Sequence, residues 1–297
     1  MVLYIVGLGL GDEKDITVRG LECVKSCTKL YLEYYTSVLG VDTKKLEEFY
    51  GVPITVADRE MVESQAEEIY GSALDTNVGF LVVGDPLCAT THVDLILRAK
   101  ALGIVVEVIH NTSVMGAVAS CGLPLYQFGY TVSIPFFEET WRPDSFYDRI
   151  KYNNLGGMHT LCLVDIKVKE PDYDSMVTSG RLKYMPPRFM TVNTAVEQIL
   201  EIEEARKEGV VSLSTLAVGL ARLGQPTQQI VCGTLEQLLT VDFGPPLHSL
   251  VIVGELHPLE QDVRGFKAIQ LNSAPPAPVQ YSTVIVEHLP LPPTPHK

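Results

Sequence analysis

The chain contains no apolar run near the ~20 residues a membrane-spanning helix requires. Its opening, Met1-Val-Leu-Tyr-Ile-Val, lacks the basic flank and small-residue cleavage site of a signal peptide and reads as a strand. Cysteine is sparse and scattered. The six residues Cys23, Cys27, Cys88, Cys121, Cys162 and Cys232 form no Cys-x-x-Cys, which argues against a disulfide framework or a zinc ribbon. They read as buried thiols of a reducing compartment, so a cytoplasmic location is expected. Basic residues are also short: 23 Lys and Arg face 36 Asp and Glu, a net charge of −13. A general nucleic-acid surface would need the opposite balance.

Several chemical signatures are missing as well. There is no Gly-x-x-x-x-Gly-Lys-Ser/Thr, so no P-loop. No His-x-x-x-His or carboxylate–histidine cluster marks a metal site, and no Gly-x-Ser-x-Gly marks a nucleophile elbow. His92, His110 and His248 border turns, where each reads as a structural hydrogen-bonding group.

What is present is an α/β pattern. At 297 residues, 46% hydrophobic and 20% charged, the chain is a globular protein of about two domains. Strands are expected at Val2–Val6, Lys29–Tyr35, around Ile54, at Phe80–Val83 and at Ile104–Ile109. Between them lie helical segments at Thr17–Cys27, Val41–Tyr50, Asp58–Ala73 and from Val93, an alternation that predicts a parallel or mostly parallel sheet. A second α/β unit follows: strand Thr131–Ile134, helix Ser145–Asn153, strand Thr160–Ile166, helix Thr191–Lys207, strand Ser214–Leu220, helix Leu235–Thr240 and strand Ser249–Val253. The domain boundaries are placed at 1–112 and 113–258. Residues 259–297 form a tail, and the last 24 residues hold seven of the nineteen prolines. Acidic residues gather at helical spacing in 42–48, 58–68 and 197–208. These are solvated helix faces compatible with a basic protein partner.

Three turns stand at strand ends. The stretch Gly79–His92 runs from a buried strand through Gly84-Asp85-Pro86 to a helix that Thr90 or Thr91 can cap. Gly7-Leu8-Gly9-Leu10-Gly11-Asp12 follows the first strand, and His110-Asn111-Thr112-Ser113 precedes a small-residue helix at Val114–Ser120. The carboxyl edge of an open α/β sheet is where ligands bind. The glycine turn together with Glu33 at the second strand's end allows an NAD(P)-linked oxidoreductase. The spacing nevertheless misses Gly-x-Gly-x-x-Gly, with Asp12 at the last position. A non-catalytic scaffold with an acidic face is a further alternative. With no evident nucleophile, the three turns suit an enzyme that positions a reactive cofactor.

The residues then resemble a known family. Tyr4-Ile-Val-Gly-Leu-Gly-Leu-Gly-Asp, Leu32-Glu-Tyr-Tyr-Thr-Ser-Val-Leu, Val56-Ala-Asp-Arg-Glu, Val82-Val-Gly-Asp-Pro, Ala89-Thr-Thr-His, Val108-Ile-His-Asn, Thr140-Trp-Arg-Pro, Gly157-Met-His-Thr-Leu-Cys-Leu-Val-Asp-Ile-Lys-Val-Lys-Glu, Pro186-Pro-Arg-Phe-Met and Pro246-Leu-His-Ser-Leu resemble the diphthine synthases, most closely their eukaryotic branch, over about Met1 to Leu256. The resemblance implies two α/β domains of the tetrapyrrole-methylase-like type, usually in a homodimer, with S-adenosylmethionine in the cleft between them. The implied substrate is the 3-amino-3-carboxypropyl histidine of elongation factor 2, methylated four times in the eukaryotic branch or three times in the archaeal one. The implied cofactor contacts are Leu10, Asp85, Cys88, Ser113, Val114, Val164, Leu223 and His248. Cys88 stands where some relatives carry glycine. Arg142 and Arg188, in proline-flanked loops, are the candidates for holding the substrate carboxylate bidentately. No metal and no catalytic side chain is nominated, because a sulfonium methyl needs in-line placement of its acceptor more than a catalytic group.

Overall fold

The structure is a computed structural model that describes residues 1–172, 183–261 and 279–281. Its first half is built on five strands: β1 (Val2–Gly7), β2 (Lys29–Glu33), β3 (Ile54–Ala57), β4 (Val78–Val82) and β5 (Val105–Ile109). They lie in the order β3-β2-β4-β1-β5, and every pairing is parallel. A parallel sheet is covered on both faces, so its strands are apolar throughout. β4 shows this in full, with Val78 to Val82 all buried. One face packs against Leu95, Ala99 and Ile69, the other against Val24, Leu46 and Tyr50.

Local chemistry sets the helices that flank this sheet. Thr17 caps α1 (Val18–Lys25) by accepting from Gly20 N, and Asp42 caps α2 (Thr43–Tyr50) by accepting from Lys45 N. The helix expected over 58–73 is three pieces: α3 (Arg59–Glu63), α4 (Glu67–Tyr70) and a 3-10 turn at Gly71–Leu74. The break at Ser64-Gln65 turns Ala66, Ile69 and Tyr70 into the core, which one straight helix with its acidic face would not do. The expected cap of α5 (Val93–Ala101) is also different. His92 occupies the cap position without a side-chain bond, while Thr90 Oγ1 donates to Pro86 O.

The second half is antiparallel where the first is parallel. Its sheet joins β6 (Val132–Ile134), β7 (Thr160–Val164), β12 (Leu216–Ala221), β13 (Gln229–Thr234) and β14 (His248–Ile252) in the order β13-β12-β14-β7-β6, and only β6 and β7 run parallel. β13 was not expected from the sequence; Gly233 interrupts an apolar run only three residues long. α7 (Ser145–Leu155) and α8 (Val192–Arg206) cover one face through Tyr147, Ile150, Val196 and Ile199. The chain after α6 (Val114–Ala117) covers the other through Val118, Cys121 and Leu123. Between β7 and α8 an arm of short antiparallel pairs projects: β8 (Ile166–Lys167) with β11 (Arg188–Phe189), and β9 (Glu170–Asp172) with β10 (Lys183–Met185). Most of the proline-rich tail lies outside the described residues. Within it, β15 (Val279–Tyr281) adds an edge strand to β13, so this part of the tail belongs to the second sheet.

Candidate functional site

The carboxyl ends of β1, β4 and β5 carry the three turns, and these turns are cross-linked to one another. Gly9 N donates to Gly84 O at 3.2 Å and Gly84 N to Gly9 O at 2.8 Å, so the first two turns pair like a fragment of sheet. Asn111 in the third turn donates from Nδ2 to Gly7 O (3.0 Å) and Asp15 O (2.9 Å). Asp85 Oδ2 accepts from Asn111 N at 3.1 Å and lies 2.8 Å from His110 Nδ1, while Oδ1 accepts from Leu87 N at 2.9 Å. Burial alone would raise the Asp85 carboxyl; the bonds from Leu87, His110 and Asn111 outweigh it and hold the group below its ordinary value. The close approach explains Gly7: a Cβ there would sit 2.7 Å from Gly84 O and 2.8 Å from Asn111 Cβ.

Facing these turns are the ends of β7, β12 and β14, and between the two halves lies a cavity of about 340 Å³. Gly11 marks how closely the halves meet, since a Cβ there would lie 2.8 Å from Gly224 O. Seven of the eight nominated cofactor contacts line this cavity: Leu10, Cys88, Ser113, Val114, Val164, Leu223 and His248. Asp85 does not. Its carboxylate is turned inward and fastens the second turn to the third.

His248 has a specific character. Its ring is buried, Nε2 lies 3.1 Å from Pro245 O, and Nδ1 has no hydrogen-bond partner. With the Nε2 proton donated to the carbonyl, Nδ1 is left as a buried acceptor behind the cavity wall. Burial lowers the pKa of this histidine, which keeps the ring neutral.

Arg142 and Arg188 are elsewhere. Arg142 pairs with Glu201 and stacks on Phe137, and Arg188 is held bidentately by Glu170 at 2.8 and 2.9 Å over the Phe136 ring. Neither lines the cavity. The arginines that do are Arg59 and Arg222, which the sequence reading did not single out. Arg59 opens α3 directly after β3, a strand-end position like the three turns, and that was the available signal. Asp165 is the carboxylate among the lining residues.

Glu33 is also committed. It is fully buried at the end of β2 and accepts from Tyr35 N (2.9 Å), Thr36 N (2.5 Å) and Thr36 Oγ1 (2.9 Å). It shapes the loop through Ser37 and Val38 that walls the cavity but does not itself line that cavity, so it is out of reach of a ribose there. The oxidoreductase alternative loses its acid.

The family model for tetrapyrrole (corrin/porphyrin) methylases matches residues 2–239. The chain belongs to that family. Within it, the chain is 58% identical over 264 residues to a diphthine methyl ester synthase of Dictyostelium discoideum, covering 88% of this chain and 96% of that one. It is 55% identical over 278 residues to the human diphthine methyl ester synthase, covering 92% and 97%. A solved crystal structure of a diphthine synthase superposes with a TM-score of 0.76 at 32% identity, covering 90% of this chain and 95% of that one. The mixed α/β fold described above is the fold shared with these relatives. The family model ends within the second half, so β14 with His248 lies beyond it, whereas the full-length relatives extend over it. Among the described residues no helix is long and apolar enough to cross a membrane, and no group of three or more His, Cys, Asp or Glu could hold a metal ion.

Proposed function

We propose that this member of the family is a diphthine methyl ester synthase. It would transfer methyl groups from S-adenosylmethionine to the 3-amino-3-carboxypropyl histidine of elongation factor 2. The observation that carries the reading is the cavity where the three cross-linked turns meet the second sheet, lined by seven of the eight implied cofactor contacts. The lining fits the cofactor. Leu10, Val114, Val164 and Leu223 offer apolar surface for an adenine and a thioether chain, and Ser113 adds a polar group beside them. The names of the relatives support the same activity.

S-adenosylmethionine supplies an already electrophilic methyl group, so the protein has to place the acceptor in line and keep water away. Asp165 puts a negative charge in the wall, which attracts an incoming ammonium group; the nitrogen then has to give a proton to solvent before it can attack the methyl. The substrate carboxylate is ionised at neutral pH and needs no base to attack. The amine and the carboxylate must both reach the same methyl, so a cleft open to solvent suits a fourfold methylation, three at nitrogen and one at oxygen. A cytoplasmic homodimer is part of this reading. It is supported by six free cysteines, four buried and two half-buried, and by the family resemblance.

Isothermal titration tests the reading at its first step. S-adenosylmethionine and its demethylated product should bind saturably, and NAD(P)H should give no heat. NAD(P)H binding without a response to S-adenosylmethionine would overturn the proposal.

A further inference from the structure

Of the two arginines among the described residues that line the cleft, one makes no hydrogen bond through its guanidinium. Arg222 is buried and saturated: Nε donates to Thr227 at 3.0 and 3.1 Å, Nη1 to Phe243 O and Pro245 O, and Nη2 faces Gln229 Oε1. Arg59 differs. Its guanidinium lies over the Tyr35 ring at 5.3 Å, and its Nε is 3.7 Å from Glu63 Oε1, beyond hydrogen-bond distance. No hydrogen bond from either Nη is made to the described residues. The side chain is 67% exposed yet lines the cavity, with its charge over the face of the Tyr35 ring.

Its place in the sheet separates it from the cofactor turns. Those turns follow β4, β1 and β5, which are neighbours, whereas Arg59 follows β3, with β2 standing between β3 and β4. Two strand spacings, about 10 Å, therefore part its root from the nearest cofactor turn. The root itself is fixed. Asp58 caps α3 by accepting from Met61 N at 2.9 Å and pairs with Lys169 on the projecting arm of the other half. A guanidinium that lines the cleft away from the three turns, makes no hydrogen bond to the described residues and has Glu63 only at 3.7 Å can receive a carboxylate bidentately.

We infer that Arg59 grips the carboxylate of the 3-amino-3-carboxypropyl group and so presents its amine to the methyl donor. This deepens the functional reading above and rests on it. During the three nitrogen methylations the fork holds both carboxylate oxygens. For the ester step one oxygen has to leave the fork, and Glu63, on the same turn of α3, is the acceptor that can take up the freed N–H groups.

The test compares the full-length wild type with Arg59→Gln and Arg59→Lys. The substrates are elongation factor 2 bearing the modified histidine and the same protein with that carboxylate converted to an amide. Arg59→Gln should raise KM for the carboxylate substrate about ten- to a hundredfold, the loss of a charge-assisted bidentate contact. Arg59→Lys should recover part of this, and the affinity for S-adenosylmethionine should not change. Wild type and Arg59→Gln should use the amide substrate alike. A comparable loss of S-adenosylmethionine affinity in Arg59→Gln would place Arg59 in the cofactor site and overturn the inference, as would an unchanged KM. In both cases an active wild type leaves the functional reading standing. A wild type that binds no S-adenosylmethionine and methylates nothing would remove the reading and the inference together.

Discussion

At the scale of single residues, the chain places neutral groups where charge would be costly. His92, His159 and His248 are all buried, and in each burial lowers the pKa from the ordinary value of 6.5. His159 keeps a partner, Glu260, 3.4 Å from Nε2, which works against the lowering without reversing it. His92 sits edge-on to Phe80 and Tyr35, with Nδ1 3.1 Å from Pro86 O. In the unfolded chain these rings take up protons near pH 6.5, and in the folded chain only at lower pH. Unfolding thus binds protons, and stability is fully present above about pH 6.5 and declines as the pH falls below it. Glu33 has the opposite sign, because burial raises its carboxyl and its protonation favours the fold, but it is one group against three. The melting temperature should therefore be lower at about pH 5.5 than at about pH 7.5, and His248→Phe should flatten that slope. A melting temperature that rises on acidification would contradict the account.

At the scale of elements, the site depends on how closely three strand ends approach. Gly7 is where two other turns crowd the first, since any Cβ there meets the Gly84 carbonyl and the Asn111 side chain. Gly7→Ala should destabilise the protein by about 1–3 kcal/mol through overpacking and weaken S-adenosylmethionine binding by forcing the first turn from the other two. Gly71→Ala is the control. Gly71 has right-handed helical dihedrals and open space around it, so the change should be neutral or stabilise by up to about 1 kcal/mol. Thermal melts with a parallel titration of the cofactor check both; equal behaviour of the two variants would contradict the packing argument. These turns were legible in the sequence because their signals are local: glycine, a capping hydroxyl and a strand-ending proline stand next to one another. Ser113 caps α6 as expected, accepting from Met115 N. What could not be read locally was which side chains the turns consume. Asp85, an implied cofactor contact, has its carboxylate bound by Leu87, Asn111 and His110; Glu33, open as a ribose ligand, is spent on its own loop. Arg142 and Arg188 looked available in proline-flanked loops, but Glu201 and Glu170, which claim them, come from other elements. The antiparallel pairing of the second sheet was equally hidden, since apolar strands such as Val218 to Ala221 read alike in either direction.

At the scale of the whole molecule, two α/β halves meet along a line drawn, among the described residues, by glycines and the Lys169–Asp58 ion pair. Gly11 and Gly224 bring the halves together at the cofactor end. At the acceptor end Lys169, reaching over from the arm, pairs with Asp58 beside Arg59; that lysine holds the Asp58 carboxyl below its ordinary value. The cleft between them is open, which suits a side chain carried on a large protein partner, and the net charge of −13 favours a basic partner surface. The central claim is methyl transfer to the modified histidine of elongation factor 2. Mass spectrometry of that protein after reaction with S-adenosylmethionine, before and after mild alkali, tests it most directly. The account predicts four added methyl groups on the modified histidine, one of them removed by alkali as an ester and three resistant on nitrogen. A product that stops at three alkali-stable methyl groups would contradict the ester step, and an elongation factor 2 that gains no methyl group would contradict the whole.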